Sequence, residues 1–445
     1  MKIIIAGAGE VGTHLAKMLS NENQDIILID TDDEKLYDIE LNHDLMVRTG
    51  SCTSLKVLKD SGVKNADLFI AVTPHETTNI TACMLATNLG AVKTLARVDN
   101  YEYLLPVNRE FFKKLGVDHL IYPEQLAAEE IVSSIKVNWV RQWLEFAGGA
   151  LLLLCLKVRD NAPILNKPFQ EVFVEDKRTH VVAIKRRSET IIPTGQDSIE
   201  ANDIVYFMTT NDYLPKLRAQ TGKESIDIHN VMIVGGGRIG VKVAQFLSDE
   251  MKLKIIEHDE EKGYKIVDQL KNNVMVIKGD GRDTELLKAE GIQETDAFVA
   301  LTGSSEANIL ACLLAKNHGI KKTVAEIENM EYINLSDNLD IGNIINKKLI
   351  TASYIYQLTL DADITNMKCL THVDADVVEF TAKKGYKITR RPVKDLDLPK
   401  GISIGGVVRG GKGIIVNGNT QIQPDDQVII VCLASSIRKV EKYFS

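Results

Sequence analysis

The sequence contains no Cys-x-x-Cys pair and no histidine at zinc-ligand spacing from a cysteine. Its six cysteines, Cys52, Cys83, Cys155, Cys312, Cys369 and Cys432, stand apart, which excludes a zinc ribbon or a disulfide framework and reads as reduced thiols of a cytosolic protein. Long apolar runs are also missing. The longest, from Ala147 to Leu156, is about half of the roughly 20 residues that a membrane-crossing helix needs. Any membrane association is therefore expected to be peripheral, without direct insertion. An excess of basic charge is absent too: 53 Lys and Arg against 61 Asp and Glu leave a net charge of −8, which argues against a nucleic-acid partner bound through its phosphates. The opening MKIIIAGAG runs straight into a strand-and-glycine pattern, with no basic and apolar stretches of an export signal, so export is not expected.

What the sequence does have is an internal repeat. The 445 residues exceed what one hydrophobic core holds, and 44% hydrophobic with 26% charged residues is the composition of an ordinary globular protein. GAGEVG at Gly7 to Gly12 returns as GGGRIG at Gly235 to Gly240, 228 residues on (235 against 7). ILIDTDDEK ending at Lys35 returns as KIIEHDEEK ending at Lys262, pairing Asp30 with Glu257. GSCTSLKVLKDSG from Gly50 matches GDGRDTELLKAEG from Gly279. ADLFIAVT ending at Thr73 matches DAFVALT ending at Thr302, and ARVDNYEYL from Ala96 matches AEIENMEYI from Ala325. Asn79 falls opposite Asn308, and Cys83 opposite Cys312. Five blocks in one order mark a duplicated unit.

Within each unit, short β-branched runs alternate with helix-length amphipathic segments, placing strands near 2–6, 26–30, 45–48, 67–73, 93–98 and 119–122 of the first. That alternation predicts an α/β fold: two tandem Rossmann-like, doubly wound parallel sheets, each followed by a small α+β domain. The small regions are expected to have shorter strands and more turns. They match each other, Ile199 with Ile422 and Asp203 with Asp426. The expected domains are 1–137, 138–222, 228–358 and 360–445, with the polar stretch 218–229 as hinge.

Each glycine loop follows a strand, opens a helix and has an acid some twenty residues downstream, the context that gives G-x-G-x-x-G meaning. Gly7 and Gly235 allow the tight turn, Gly9 and Gly237 let a pyrophosphate approach, and Gly12 and Gly240 let the helix pack on the sheet. Ala8, Glu10 and Val11 complete the first loop, and Arg238 and Ile239 the second. The helix N-termini offer free N–H groups to phosphates. Asp30 and Glu257, ending the second strands, would accept hydrogen bonds from ribose hydroxyls and repel a 2′-phosphate, which favours NAD or an adenine nucleotide over NADP. Thr73 with Pro74, and Thr302, end the fourth strands at the ligand-binding edge. Ser51 and Cys52 stand where the second half has Asp280, and Arg97, replaced by Glu326 in the second half, would pair with a phosphate or form an ordinary surface salt bridge. The acidic groups Asp280, Asp283 and Glu285, and Asp30, Asp32, Asp33 and Glu34, read as helix-start carboxylates, so no metal is expected.

KIIIAGAGEVG with Asp30, the AVTPHETTN stretch from Ala71, ARVDNYEYL with Arg97, the repeat of all of these and the small domain after each unit together resemble the Trk-system potassium uptake regulators, a family of tandem regulator-of-potassium-conductance (RCK) proteins. The resemblance covers essentially the whole chain. It implies a homotetrameric ring, peripheral on the cytoplasmic face of the cell membrane, bound to the membrane potassium-translocating subunit of a Trk-type system. It also implies NAD (NAD+ or NADH) and ATP or ADP in the clefts.

The rival class is an NAD-dependent oxidoreductase, which needs a proton donor or acceptor beside the nicotinamide. His75 follows the fourth strand, but the remaining histidines form no motif, and duplication of the nucleotide unit with like small domains is not the plan of a dehydrogenase. A scaffold that has lost its ligands is disfavoured by the retained acids Asp30 and Glu257. The expectation is a nucleotide-sensing regulatory subunit with no catalytic residues.

Overall fold

The computed structural model describes residues 1–20, 24–173, 177–358, 364–433 and 436–444. The first parallel sheet is built from β1 (Lys2–Ala6), β2 (Asp25–Asp30), β3 (Met46–Thr49), β4 (Leu68–Ala71), β5 (Lys93–Arg97) and β6 (His119–Ile121), in the order β3-β2-β1-β4-β5-β6. Between and after them run α1 (Glu10–Ser20), α2 (Asp33–Asn42), α3 (Leu55–Asp60), α4 (Glu76–Leu89), α5 (Pro106–Lys114) and α6 (Pro123–Lys136). Helices cover both faces, so the central strand is apolar after Lys2: Ile3, Ile4 and Ile5 are all fully buried. Each acidic cluster supplies a helix cap, Asp32 in one and Asp283 in the other. Asp32, Asp259 and Asp283 each accept a backbone N–H of the helix that follows.

The chain divides into two compact units. One is residues 1–127 with the segment from Lys347, and the other is residues 128–346 with the C-terminal portion. The helix α14 (Lys347–Gln357), which follows the second half's last strand in sequence, belongs to the first unit and packs against α1.

In the other unit, β7 (Gln142–Phe146), β8 (Leu151–Lys157), β9 (Thr179–Arg186), β10 (Glu189–Ile191) and β11 (Ile204–Thr209) form an antiparallel sheet with the short helices α7 (Phe169–Val172) and α8 (Leu214–Gln220). The second parallel sheet follows: β12 (Asn230–Val234), β13 (Lys252–Glu257), β14 (Val274–Lys278), β15 (Ala297–Ala300), β16 (Lys322–Glu326) and β17 (Asn343–Ile345). Its order, β14-β13-β12-β15-β16-β17, is that of the first. Its helices are α9 (Arg238–Leu247), α10 (Glu260–Val267), α11 (Thr284–Ala289), α12 (Ser305–Asn317) and α13 (Met330–Leu339). A second antiparallel sheet, β18 (Ile364–Cys369), β19 (Ala375–Thr381), β20 (Ile402–Arg409), β21 (Lys412–Ile415) and β22 (Gln427–Leu433), precedes α15 (Ile437–Glu441). The boundary expected at 358 to 360 falls beside residues outside the described set.

The small sheets repeat one device. Arg186 grips buried Asp203 with Nε and Nη2 at 3.1 and 2.8 Å, and Arg409 grips buried Asp426 at 2.8 and 2.7 Å, both members shifted by 223 residues (409 and 186, 426 and 203). The expectation of shorter strands is corrected. β9 and β20 each span eight residues, because tight antiparallel connections let the strands run on and both faces are covered. Leu153, Val182 and Met208 of one sheet share a core with Val377, Val408 and Val431 of the other. The sheets approach so closely that a Cβ on Gly413 would lie 2.0 Å from the Ala150 carbonyl oxygen. The stretch 218–229, read as a hinge, lies inside this unit, where the Asn138 side chain donates to the Ile226 carbonyl at 2.7 Å and accepts its N–H at 3.1 Å.

A buried ionic cluster ties α13 to both small sheets. Asp337 accepts from Arg141 at 2.8 Å and Lys185 at 3.1 Å and lies 3.0 Å from His372 Nδ1. Burial would raise the Asp337 carboxyl, but His372, Arg141 and Lys185 hold it well below the ordinary carboxylate range. Breaking one partner of such a cluster leaves a buried charge uncompensated.

Candidate nucleotide clefts

In the first half the chain leaves β1 into Gly7, whose φ of +110° is open to glycine but strained for other residues. A Cβ at Gly12 would lie 1.9 Å from the Gly7 carbonyl oxygen, so glycine there is enforced by the turn itself. At Gly9 an added Cβ would meet nothing within 4 Å, and the same holds at Gly237. The open space lies where a pyrophosphate would approach, beside the N-termini of α1 and α9, and this is the fit expected of a dinucleotide cleft. The second loop repeats the geometry, with Gly235 at φ +104° and a Gly240 Cβ 2.2 Å from the Gly235 carbonyl oxygen.

Asp30 ends β2 and fastens the loop from below: Oδ2 accepts the Ala8 N–H at 2.5 Å and Oδ1 accepts the Asp32 N–H at 3.0 Å. Glu257 does the same in the second half, accepting Gly236 N–H at 2.8 Å and Asp259 N–H at 3.0 Å. Val11 and Ile239 are buried under their helices, whereas Glu10 and Arg238 are exposed at corresponding places on the loops.

The fourth-strand ends carry a feature that motif reading gave no role. Asn79, 1% exposed, accepts Thr73 N–H at 2.9 Å and the Thr73 hydroxyl at 2.7 Å, while its amide donates to the carbonyls of Thr73 at 3.0 Å and Arg97 at 2.9 Å. Asn308 makes the same four bonds, to Thr302 at 2.9, 2.7 and 3.1 Å and to Glu326 at 2.8 Å. One side chain thus fixes the ends of the fourth and fifth strands along each cleft. The signal in the sequence was the recurrence of Asn in a helix, where the residue has low propensity. Pro74 and His75 follow Thr73 as exposed residues at the start of α4, and the His75 ring makes no cap hydrogen bond.

The charged residues differ between the halves. Arg97 donates to Glu124 at 2.9 Å and lies 3.7 Å from Asp99, a largely buried ion pair at the end of the fifth strand. Ser51 and Thr53 bond each other through their hydroxyls at 2.9 Å, with Cys52 buried against the core. In the matching place, Asp280 is gripped by Arg282 at 3.0 and 2.7 Å, which holds its carboxyl down at about 2. Lys262 Nζ lies 2.8 Å from Glu257 Oε2. Despite burial, that ion pair and the two backbone donors keep the Glu257 carboxyl below its usual range. Its counterpart Lys35 turns instead to the helix cap Asp32 at 3.0 Å.

Comparison with known proteins agrees with this architecture. The TrkA-N domain family matches residues 3–123 and 231–347, and the TrkA-C domain family matches 155–222 and 377–445. The chain is 33% identical over 451 residues to the Trk system potassium uptake protein TrkA of Halomonas elongata, covering 100% of this chain and 98% of that one. It is 33% identical over 439 residues to the protein of the same name from Vibrio alginolyticus, covering 97% and 95%. Among solved structures, the GsuK channel bound to NAD superposes with a TM-score of 0.61 at 18% identity, covering 100% of this chain and 78% of that one.

Proposed function

Because the chain belongs to the Trk-system potassium uptake family with paired TrkA-N and TrkA-C domains, a family of regulators and not of enzymes, we propose that it senses NAD(H) and adenine nucleotides in its two clefts and thereby gates a membrane potassium-translocating subunit. The observation that carries the reading is the duplicated cradle: a glycine whose missing Cβ leaves open space at each helix N-terminus, with a carboxylate holding each loop. The matching residues Gly7 to Gly12, Asp30 and Thr73, and Gly235 to Gly240, Glu257 and Thr302, are the ligand-contacting set. Among the described residues no helix is long and apolar enough to cross a membrane, which fits docking through protein contact on the inner face of the membrane. In this reading four chains close into a ring, and ligand acts by binding one arrangement of the ring more tightly than another. The cluster around Asp337 gives a second-half helix a rigid connection to the small sheets, the kind of linkage such coupling needs.

The test is to identify by mass spectrometry what the purified protein releases on denaturation, then to titrate NADH, NAD+, ATP and ADP calorimetrically. Micromolar binding without hydride transfer to alcohols, aldehydes or hydroxy acids is expected. Steady NADH turnover that disappears in His75→Ala would replace the regulator with an oxidoreductase.

A further inference from the structure

The first glycine loop has no cation of its own. GAGEVG places Glu10 where the second loop, GGGRIG, places Arg238, so a phosphate entering the first cleft meets a carboxylate at the mouth of the helix. Arg97, the basic residue that ends the fifth strand, is engaged by Glu124 and Asp99 and is mostly buried with them. The partial charge of a helix N-terminus is about half an elementary unit, too little to offset a carboxylate beside it.

A positive charge arrives from a distant part of the sequence. α14 packs against α1 and brings Lys348 Nζ to 3.2 Å from Glu10 Oε2. The Lys348 side chain is only 16% exposed, so the ammonium is held at the loop and does not sweep through solvent. His14, one turn along α1, is kept below its usual pKa by burial first and by Lys348 and Lys17 after that, so at neutral pH the imidazole adds no competing positive charge. Lysine binds phosphate as a point charge and needs no fixed fork geometry, so a small side-chain movement is enough to pass from carboxylate to phosphate.

We propose that Lys348 is the phosphate-binding cation of the first cleft, exchanging Glu10 for the phosphates of a nucleoside diphosphate. The assignment rests on the reading of that cleft as a nucleotide site. Its consequence is that a ligand bound by residues near the N-terminus also grips a helix that continues directly from β17 of the second half, so first-cleft occupancy acts on the position of α14.

The experiment is calorimetric titration of the full-length protein with ADP and with adenosine, the latter lacking phosphates. Lys348→Met is expected to weaken ADP binding at the first cleft about tenfold and leave adenosine unchanged, Lys348→Arg to restore most of it, and Glu10→Gln to strengthen ADP severalfold. Wild-type ADP affinity in Lys348→Met, or equal loss of ADP and adenosine, overturns the assignment while leaving the nucleotide reading in place. Failure of the wild-type protein to bind either ligand overturns both.

Discussion

Asn79 offers a sharp test of how the clefts are held. Replacing it by alanine removes four hydrogen bonds at once and leaves the Thr73 N–H and the carbonyls of Thr73 and Arg97 without their partner. The Thr73 hydroxyl is the exception, since it also lies 3.4 Å from the His75 carbonyl and can turn to it. Three part-buried backbone groups at about 1 kcal/mol each give a loss of about 3 kcal/mol, a large share of the roughly 5–15 kcal/mol that holds a domain folded. Asn79→Asp should be no milder: it keeps the acceptor but loses both donations, and sets a buried carboxylate against two carbonyl oxygens.

The protein has two compact units, so denaturant unfolding should show more than one transition, and a single midpoint would be the wrong quantity to fit. Asn79→Ala should lower the transition of the first unit and weaken nucleotide binding there. Asn308→Ala should lower the other and spare the first cleft. If Asn79→Ala left both midpoints and nucleotide affinity within error of wild type, the claim that this amide fixes the fourth and fifth strand ends would fail.

Three further outcomes are expected. Lys262→Met removes the cation from Glu257 and should raise the affinity of the second cleft for adenosine-containing ligands by about three- to tenfold, while Lys35→Met leaves the first cleft unchanged because Lys35 pairs with Asp32; calorimetry showing no gain would refute this. Gly281→Ala should destabilise by about 1–3 kcal/mol in urea titrations, since its Cβ would lie 2.1 Å from Val234 Cγ1, and adding Val234→Ala should recover most of the loss; a neutral Gly281→Ala would refute the packing claim. Burial holds His180 down at about 4, so as pH falls from 6.5 to 4 the unfolded chain takes up a proton that the folded one refuses, and stability falls; His180→Gln should flatten that slope, worth at most about 3 kcal/mol, and an unchanged slope would place the effect elsewhere.

Much of the fold is legible in the sequence because the duplication prints every element twice. Apolar strand runs, glycine turns and acid positions were each confirmed by a second copy, and six-stranded sheets of the same order follow. Three things were not legible. The long strands of the small sheets gave no alternating pattern, because residues such as Leu151 to Leu156 are buried on both faces. The assignment of α14 to the first unit depends on packing of a segment more than three hundred residues from α1, which no local pattern encodes. The polar stretch 218–229 has the composition of a hinge, but the Asn138 amide anchors it, and composition does not report a partner some ninety residues away.

The clefts show why a motif can be right while the chemistry around it differs. Both halves satisfy the pattern of glycine loop plus acid, yet the second has exchanged several residues in compensating pairs. Aspartate became Glu257, one methylene longer, and the loop residue above it became Gly236, where a Cβ would sit 3.0 Å from Glu257 Oε2 and 2.6 Å from Ile266 Cδ1. Ala6 became Val234 where Cys52 became Gly281, conserving volume beneath the loop. Each exchange preserves the packing, so the fold and the loop survive unchanged. The charges did not compensate in the same way: Glu10 gave way to Arg238, the longer Glu257 came within reach of Lys262, and Ser51 gave way to Asp280 paired with Arg282. Packing constraints are local and demand pairwise repair, whereas a charge at a solvent-facing cleft can be met by an ion from elsewhere in the chain, as Glu10 is met by Lys348 at 3.2 Å. Two clefts with one backbone and different charge patterns are expected to differ in affinity for a charged ligand, and separate titration of the two is the measurement that shows whether their affinities diverge as their charges do.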